Sequence, residues 1–107
     1  MKVIWSKESL QQLIQIKEYI SKDNSERAIQ FVKRLIDRAE KIKDYPYKGR
    51  VVPEFSLDEI REVFEKSYRI VYRISENRIE ILTVFEGHKL FNNSEILKKV
   101  NKLTHKS

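Results

Sequence analysis

The sequence contains no cysteine, only two glycines and two prolines, and no long run of apolar residues. Without cysteine, the chain can form neither a disulfide framework nor a thiolate nucleophile, and it offers no cysteine ligand to a metal ion. None of its apolar runs approaches the roughly 18 residues that a membrane-spanning helix needs. The opening residues, MKVIWSKESL, contain no hydrophobic segment of a secretion signal. We therefore expect a cytoplasmic protein without a membrane partner.

The length and the charge of the chain limit its class. Its 107 residues are near the usual size of one domain, and no repeat, linker or low-complexity tract interrupts them, so we expect a single domain over 1–107. A net charge of +6 favours an acidic partner, either nucleic acid or an acidic protein segment. The sequence has neither the aromatic and glycine motif of RNA-recognition domains nor a Gly-x-x-Gly loop, which disfavours a generic RNA-binding domain.

Helical spacing dominates the first half of the chain. A short apolar strand at 2–5 precedes Ser6, which is a suitable N-cap for a first helix, and Ser25 is suited to cap a longer second helix. The apolar residues at helical spacing are Leu10, Leu13, Ile14, Tyr19 and Ile20 in the first helix, and Ala28, Val32, Leu35, Ala39 and Ile42 in the second. The two helices are predicted to form an antiparallel hairpin that ends before Pro46.

The spacing of apolar residues changes from 3.6 to 2 at residue 59. Three strands are predicted at 59–64, 68–74 and 79–85, and short polar turns should join them into an antiparallel meander. Asn77 is expected to take the positive φ of the second turn. Helical spacing returns at 92–103, after Gly87.

The predicted order is β-α-α-β-β-β-α, an α+β fold in which the helical hairpin packs on one face of a mainly antiparallel sheet. Alternate side chains of the strand YRIVYRI point to opposite faces. Those expected to face the helices are Ile70, Tyr72 and Ile74. Those expected on the other face, which should be basic and partly open, are Arg69, Val71 and Arg73. On an open face, an Arg69→Ala replacement would change thermal melting little.

The stretch IREVFEKSYRIVYRISENRIEILTV, residues 60–84, resembles the hallmark region of the RelE/ParE superfamily of bacterial toxins. A tryptophan in the first strand, the helical hairpin and the loop PYKGR at 46–50 match that superfamily in the same order. The resemblance implies a growth-inhibiting toxin of a type II toxin–antitoxin pair, without cofactor or metal. It also implies a cognate antitoxin whose extended segment wraps around the toxin. An apolar groove and open strand edges should receive that segment, which the positive charge of the chain predicts to be acidic.

The resemblance leaves two targets open. RelE-like toxins cut messenger RNA on the ribosome, whereas ParE-like toxins poison DNA gyrase and are not nucleases. Phe64 stands where a RelE-like toxin has an arginine, and the last tyrosine is Tyr72, so the tyrosine near the C-terminus of RelE-like toxins is missing. These departures slightly favour the ParE-like branch.

A second nuclease pattern, similar to YoeB, would use Glu54, Arg69 and His88. The segment EGHK at 86–89 keeps the glycine of the ParE-like pattern His-Gly-Arg-Arg but differs from it at the other three positions. An inactive member that only binds its antitoxin is the remaining alternative.

Cations dominate the residues that are expected to bind the target. They are Arg50, Arg61, Arg69, Arg73, His88 and Lys89. Each arginine also has a structural alternative. Arg69 and Arg73 can pair across the strands with Glu62, Glu65 or Glu80, and Arg61 has acidic neighbours. Arg50 can bind an anion or the end of the second helix, after Gly49, which is expected to supply an unusual backbone angle.

Overall fold

The structure is a computed structural model that describes residues 1–87. His88, Lys89 and the helix predicted at 92–103 lie outside the described residues. The elements in chain order are β1 (Lys2–Trp5), α1 (Lys7–Ser21), α2 (Ser25–Glu40), two short 3₁₀ helices (Lys41–Asp44 and Pro46–Lys48), β2 (Arg50–Val51), β3 (Ile60–Glu65), β4 (Tyr68–Ile74) and β5 (Arg78–Glu86). Among residues 1–87, no helix has the length and apolar character needed to cross a membrane.

The five strands form one sheet in the order β1-β5-β4-β3-β2. β1 runs parallel to β5, and the other three pairings are antiparallel. The predicted meander of β3, β4 and β5 is therefore confirmed, as is the α+β fold with its helical hairpin. The two-residue strand β2 was not predicted, because two residues are too few to show an alternating pattern.

Side-chain caps begin both long helices. The Ser6 hydroxyl accepts a hydrogen bond of 3.0 Å from the Ser9 amide, as predicted. The second cap is Asn24 rather than Ser25: the Asn24 side chain accepts a hydrogen bond of 2.9 Å from the Arg27 amide. Asn24 has an extended backbone with φ −158°, whereas Ser25 is already the first helical residue.

α2 ends at Glu40, earlier than the spacing of apolar residues predicts. The chain then tightens into the 3₁₀ helix Lys41–Asp44, which keeps the predicted core residue Ile42 buried. Pro46 begins the second 3₁₀ helix rather than stopping α2 directly.

The main core lies between the hairpin and one face of the sheet. Its buried members are Leu13, Ile16, Phe31, Leu35, Ala39, Ile42, Val63, Ile70, Tyr72, Ile79, Ile81 and Val84. Ile70 and Tyr72 thus face the helices as predicted. Leu10 and Ile14 were predicted in this core but are about half exposed, because α1 buries the stripe that contains Ser9, Leu13 and Ile16.

The opposite face of the sheet carries a second, smaller core. It consists of Val52, Ile60, Val71, Leu82 and Phe85, against which Phe55 packs. The segment that follows β2 folds over this face and covers it. Val71 and Arg69, which were predicted on a partly open face, are therefore buried, because local spacing cannot show which distant segments return onto the strand.

β5 contains one extra residue relative to its partner β4. Val71 pairs with Thr83 and Tyr72 pairs with Ile81, so Leu82 has no partner on β4. Such a bulge reverses the alternation of side chains beyond it. The main core therefore receives Ile79 and Ile81 before the bulge and Val84 after it. The Ser6 hydroxyl donates to the Leu82 carbonyl at 3.1 Å, which attaches the start of α1 to the bulge.

The positive φ of the meander occurs in its first turn and not at Asn77. Lys66 has φ 53° and is one of two non-glycine residues with positive φ among residues 1–87. Only two residues join β3 to β4, because Glu65 pairs with Tyr68, and a two-residue hairpin loop requires left-handed geometry. In the second turn, where the Ser75 amide donates to the Arg78 carbonyl at 2.9 Å, Asn77 does not have a positive φ.

Arg73 and Glu80 face each other across β4 and β5. Arg73 Nε and the Ser75 hydroxyl each donate to Glu80 Oε1 at 2.8 Å, and Arg78 lies within 3.5 Å of the same carboxylate. Partial burial acts to raise the pKa of the Glu80 carboxyl. The hydrogen bonds and positive charges of these neighbours outweigh burial, so the pKa is lowered from its ordinary value of 4.5.

We expect Glu80 to stabilise the fold at neutral pH and to lose that contribution in acid. Because the pKa is lower in the folded chain, the contribution is complete above the unfolded value and disappears as pH falls through the folded one. Thermal melts of the wild type and Glu80→Gln should therefore differ at neutral pH and converge in acid. Glu76→Gln, at an exposed turn position, is the control. A difference that does not change with pH would contradict this assignment.

Candidate functional site

A buried carboxylate holds two arginines on the face opposite the hairpin. The Glu62 side chain is completely buried. Arg50 Nε donates to Glu62 Oε2 at 2.7 Å, and Arg69 Nε donates to Oε1 at 2.8 Å. The Nη2 group of each arginine also contacts the same oxygen as its Nε. Arg50, Glu62 and Arg69 are called the ion triad below.

Strand register brings the ion triad together. Arg50 on β2 pairs directly with Glu62 on β3. Two residues along β3, Phe64 pairs directly with Arg69 on β4. Because alternate residues of a strand share a face, Glu62 and Phe64 point to the same side of the sheet, where Arg69 joins them. The triad thus links three strands that are separated in sequence by loops and turns.

Gly49 allows the loop before Arg50 to lie against the sheet. Its backbone is ordinary, with φ −66°, so the prediction of an unusual angle is wrong. A Cβ at this position would instead collide with the hydroxyl of Tyr72. That hydroxyl donates to the Pro46 carbonyl at 2.7 Å, and burial raises the pKa of Tyr72, so it stays a donor at neutral pH. Close approach therefore explains the glycine.

Two phenylalanines lie against the guanidinium groups. The Phe64 ring centre is 5.9 Å from the Arg50 guanidinium carbon and 5.8 Å from that of Arg69. The ring centre of Phe85 lies 5.3 Å from the guanidinium carbon of Arg69. Phe64 is 45% exposed and the Arg50 side chain is 61% exposed. These two side chains, called the Arg50–Phe64 patch, are the part of the cluster that reaches solvent.

Arg69 is not the exposed target-binding residue that alternation predicts. It is 3% exposed, since Phe64 and Phe85 lie against it and Glu62 binds its guanidinium. The alternative of a cross-strand pair with Glu62 is confirmed. The expectation that Arg69→Ala leaves melting unchanged assumed an open face. Because Arg69 is buried, we now expect the replacement to lower the melting temperature by removing a buried cation from a buried carboxylate.

The remaining predicted site residues are separate from the triad. Arg61 binds the Tyr47 and Gly49 carbonyls at 3.0 Å each, together with Asp58, and so fastens the loop segments on both sides of β2. Arg73 is bound to Glu80, and Glu54 is exposed on the loop after β2. His88 and Lys89 lie outside the described residues.

A second surface, the hairpin groove, lies between the α1–α2 turn and the β3–β4 turn. It has a volume of about 1050 Å³. Its apolar and aromatic lining comprises Tyr19, Ile20, Phe31 and Tyr68. Its charged residues are Lys22, Arg27, Arg34, Lys66, Asp23 and Glu86. A smaller depression of about 430 Å³ shares Tyr19, Tyr68 and Glu86 with it.

Tyr68 is one of the aromatic residues that line the groove. Its ring lies 5.1 Å from that of Phe31, at an angle of 55°. Burial raises the pKa of Tyr68, and the charge of Glu86 and the neighbouring Tyr19 raise it further. The hydroxyl therefore remains protonated at neutral pH and can donate to an acceptor that enters the groove.

Sequence reasoning identified Glu62 only as a pairing partner and Phe64 only as a departure from a family pattern. The alternation of side chains along β3 could have shown their role, because it places Glu62 and Phe64 on the same face of the sheet as Arg69. Within residues 1–87, no three His, Asp or Glu side chains are grouped to hold a metal ion.

We expect Arg69 to matter much more than Arg50 for stability. Arg69→Met should cost about 3 kcal/mol, the lower end for breaking a buried ion pair, because Arg50 still neutralises Glu62. Arg50→Met should cost about 1 kcal/mol or less, since its side chain is mostly exposed and Glu62 keeps Arg69. Urea denaturation of the two variants and the wild type measures both. Equal losses would contradict the unequal burial of the two arginines.

Three comparisons with known proteins agree. Residues 3–91 match the family model described as the ParE toxin of the type II toxin–antitoxin system parDE. A relative from Sinorhizobium fredii (strain NBRC 101917 / NGR234), the protein Y4kP that is named as a toxin, is 33% identical over 88 residues, 82% of this chain and 90% of the relative.

The third comparison concerns the fold alone. A solved structure of a chromosomal ParDE toxin–antitoxin system from P. aeruginosa has a chain that superposes with a TM-score of 0.68 at 18% identity. The superposition covers 80% of this chain and 95% of that one. The family match spans most of the sequence, and it confirms the predicted superfamily. The chain therefore belongs to the ParE toxin family of parDE type II toxin–antitoxin systems.

Proposed function

We propose that this protein arrests bacterial growth in the cytoplasm by acting on DNA gyrase, and that a cognate antitoxin neutralises it by occupying the hairpin groove. The family match over residues 3–91 carries the proposal. Inhibition of gyrase is the activity that the resemblance to ParE-like toxins implies.

The position of Arg69 supports gyrase over messenger RNA. Metal-independent RNA cleavage needs cations that neutralise the phosphate in the transition state. Arg69 is the cation of the predicted nuclease set, but it is buried and bound to Glu62. It would have to leave that carboxylate to reach a phosphate. Phe64, which cannot neutralise a charge, lies between Arg69 and solvent.

Purified full-length protein is expected to inhibit supercoiling by DNA gyrase, and its induction should raise the DNA damage response. His88→Gln should remain toxic, because this activity does not need a proton-transferring histidine. Growth, DNA breaks and transcript integrity are measured in parallel after induction. Ribosome-dependent transcript cleavage that disappears in His88→Gln would reject gyrase in favour of a nuclease.

The hairpin groove suits an acidic amphipathic segment. Its lining contains four cations and two carboxylates, and Tyr19 presents a largely exposed aromatic surface at its rim. Amphipathic helices bind grooves through apolar anchors, and complementary charge at the edge increases their association rate and specificity. An antitoxin segment with acidic residues flanking apolar ones has both features.

We expect Tyr19→Ala and Arg34→Glu to weaken antitoxin binding, Tyr19→Ala by about 2 kcal/mol, or about thirtyfold, if it is an interface hot spot. The effect of Arg34→Glu should shrink at high salt because it is electrostatic. Calorimetric titration with the protein encoded beside the toxin measures both.

Two matched controls test the location. Lys33→Glu reverses an exposed charge on the same helix outside the groove, and Tyr45→Ala removes an exposed aromatic ring elsewhere. Both should bind like the wild type. If the controls and the groove variants lose affinity equally, the antitoxin does not bind in this groove.

A further inference from the structure

We propose that the Arg50–Phe64 patch is where the toxin contacts its protein target, and that it receives a carboxylate side chain next to an apolar one. The inference rests on the proposed toxin function and adds the surface and the chemistry of the contact. It also separates that contact from the hairpin groove, because the two lie on opposite faces of the sheet.

The patch is held in place before any partner arrives. Arg50 binds Glu62 through Nε and Nη2, and none of residues 1–87 accepts a hydrogen bond from its Nη1, which can donate to a partner. Phe64 rests on two guanidinium groups, one of which is buried. A fixed guanidinium beside a fixed aromatic ring loses little conformational entropy on binding. Arginine and aromatic residues are also enriched in the few positions that dominate the affinity of protein interfaces.

The charge of the cluster selects the class of partner. The triad contains two guanidinium groups and one carboxylate, so it carries one net positive charge, and only Arg50 is exposed. A surface that follows a nucleic acid backbone needs several exposed cations, one for each phosphate that it neutralises. Among the described residues of the triad and Phe64, one exposed cation lies beside one aromatic ring. This pair fits a single carboxylate and an apolar neighbour, which a protein surface supplies.

The two faces of the sheet separate the patch from the groove. Phe64 points to the same side as Glu62, and Arg69 contacts Phe85 of the second core. Tyr68, one residue before Arg69, packs with the main core on the side of the hairpin and lines the groove. Replacements in the patch should therefore affect the target and leave the antitoxin contact intact.

The test uses full-length Phe64→Ala, Arg50→Ala and Arg50→Glu. Ile14→Ala is the control for an exposed apolar residue, and Arg78→Ala is the control for a half-exposed arginine. Each protein is assayed for growth arrest on induction, inhibition of gyrase supercoiling, affinity for the co-encoded antitoxin and melting temperature.

We expect the concentration needed to inhibit gyrase to rise at least about tenfold in Phe64→Ala and Arg50→Ala, and further in Arg50→Glu. Antitoxin affinity should stay within about twofold, as expected for distant, independent sites.

Several results would overturn the inference. Patch variants that arrest growth like the wild type would remove the patch from the target contact and leave the proposed function intact. A loss of activity that only follows a loss of folded protein would assign Phe64 to internal packing. Simultaneous loss of antitoxin binding would show one shared surface, and Arg50-dependent binding of a single-stranded oligonucleotide would indicate a nucleic acid partner. A wild type that neither arrests growth nor inhibits gyrase would reject the proposed function and this inference together.

Discussion

The burial of Glu62 between Arg50 and Arg69 is the interaction on which the rest of this structure depends. A carboxylate in the middle of a sheet face is unfavourable unless cations and hydrogen bonds neutralise it, and here each of its oxygens binds one guanidinium. The two cations come from β2 and β4, so the ion triad holds together three adjacent strands. It also fixes where the loop before β2 must run, and Gly49 makes that path possible. The exposed pair Arg50 and Phe64 is a consequence of this arrangement.

The two faces of the sheet are covered by different parts of the chain. The bulge at Leu82 shifts the alternation of β5, so that Ile79 and Ile81 before it and Val84 after it all face the main core. The hairpin covers the first face and leaves a groove near its turn. The loop after β2 covers the second face and leaves Phe64 exposed at its end. The proposed target contact and the proposed antitoxin contact lie on these two different faces.

The fold and the family of this protein rest on different observations. The P. aeruginosa chain shares 18% sequence identity and supports the fold alone, whereas the family match assigns the chain to the ParE toxins. Folds of this kind host more than one activity, so the target must be inferred from the site. At this site the burial of Arg69 supports the proposed choice of gyrase over messenger RNA, because the cation that phosphate chemistry would require is already bound to a carboxylate.

Much of the architecture could be predicted from the sequence by itself. The spacing of Leu13, Leu35 and Ala39 determined the hairpin, and the alternation in β3 and β4 determined the meander, because both periods come from local backbone geometry. Ser6 could be predicted as a cap because capping also depends on local sequence.

What only the tertiary structure decided depends on contacts between residues far apart in sequence. The return of the loop over the second face buried Val71, and Phe64, Phe85 and Glu62 enclosed Arg69. The short strand β2 brought Arg50 to Glu62, and the hydroxyl of Tyr72 explains Gly49. Local spacing can assign a side chain to a face of a strand, but whether that face is covered is set by a segment elsewhere in the chain, so the exposure of an arginine cannot be read from its own strand.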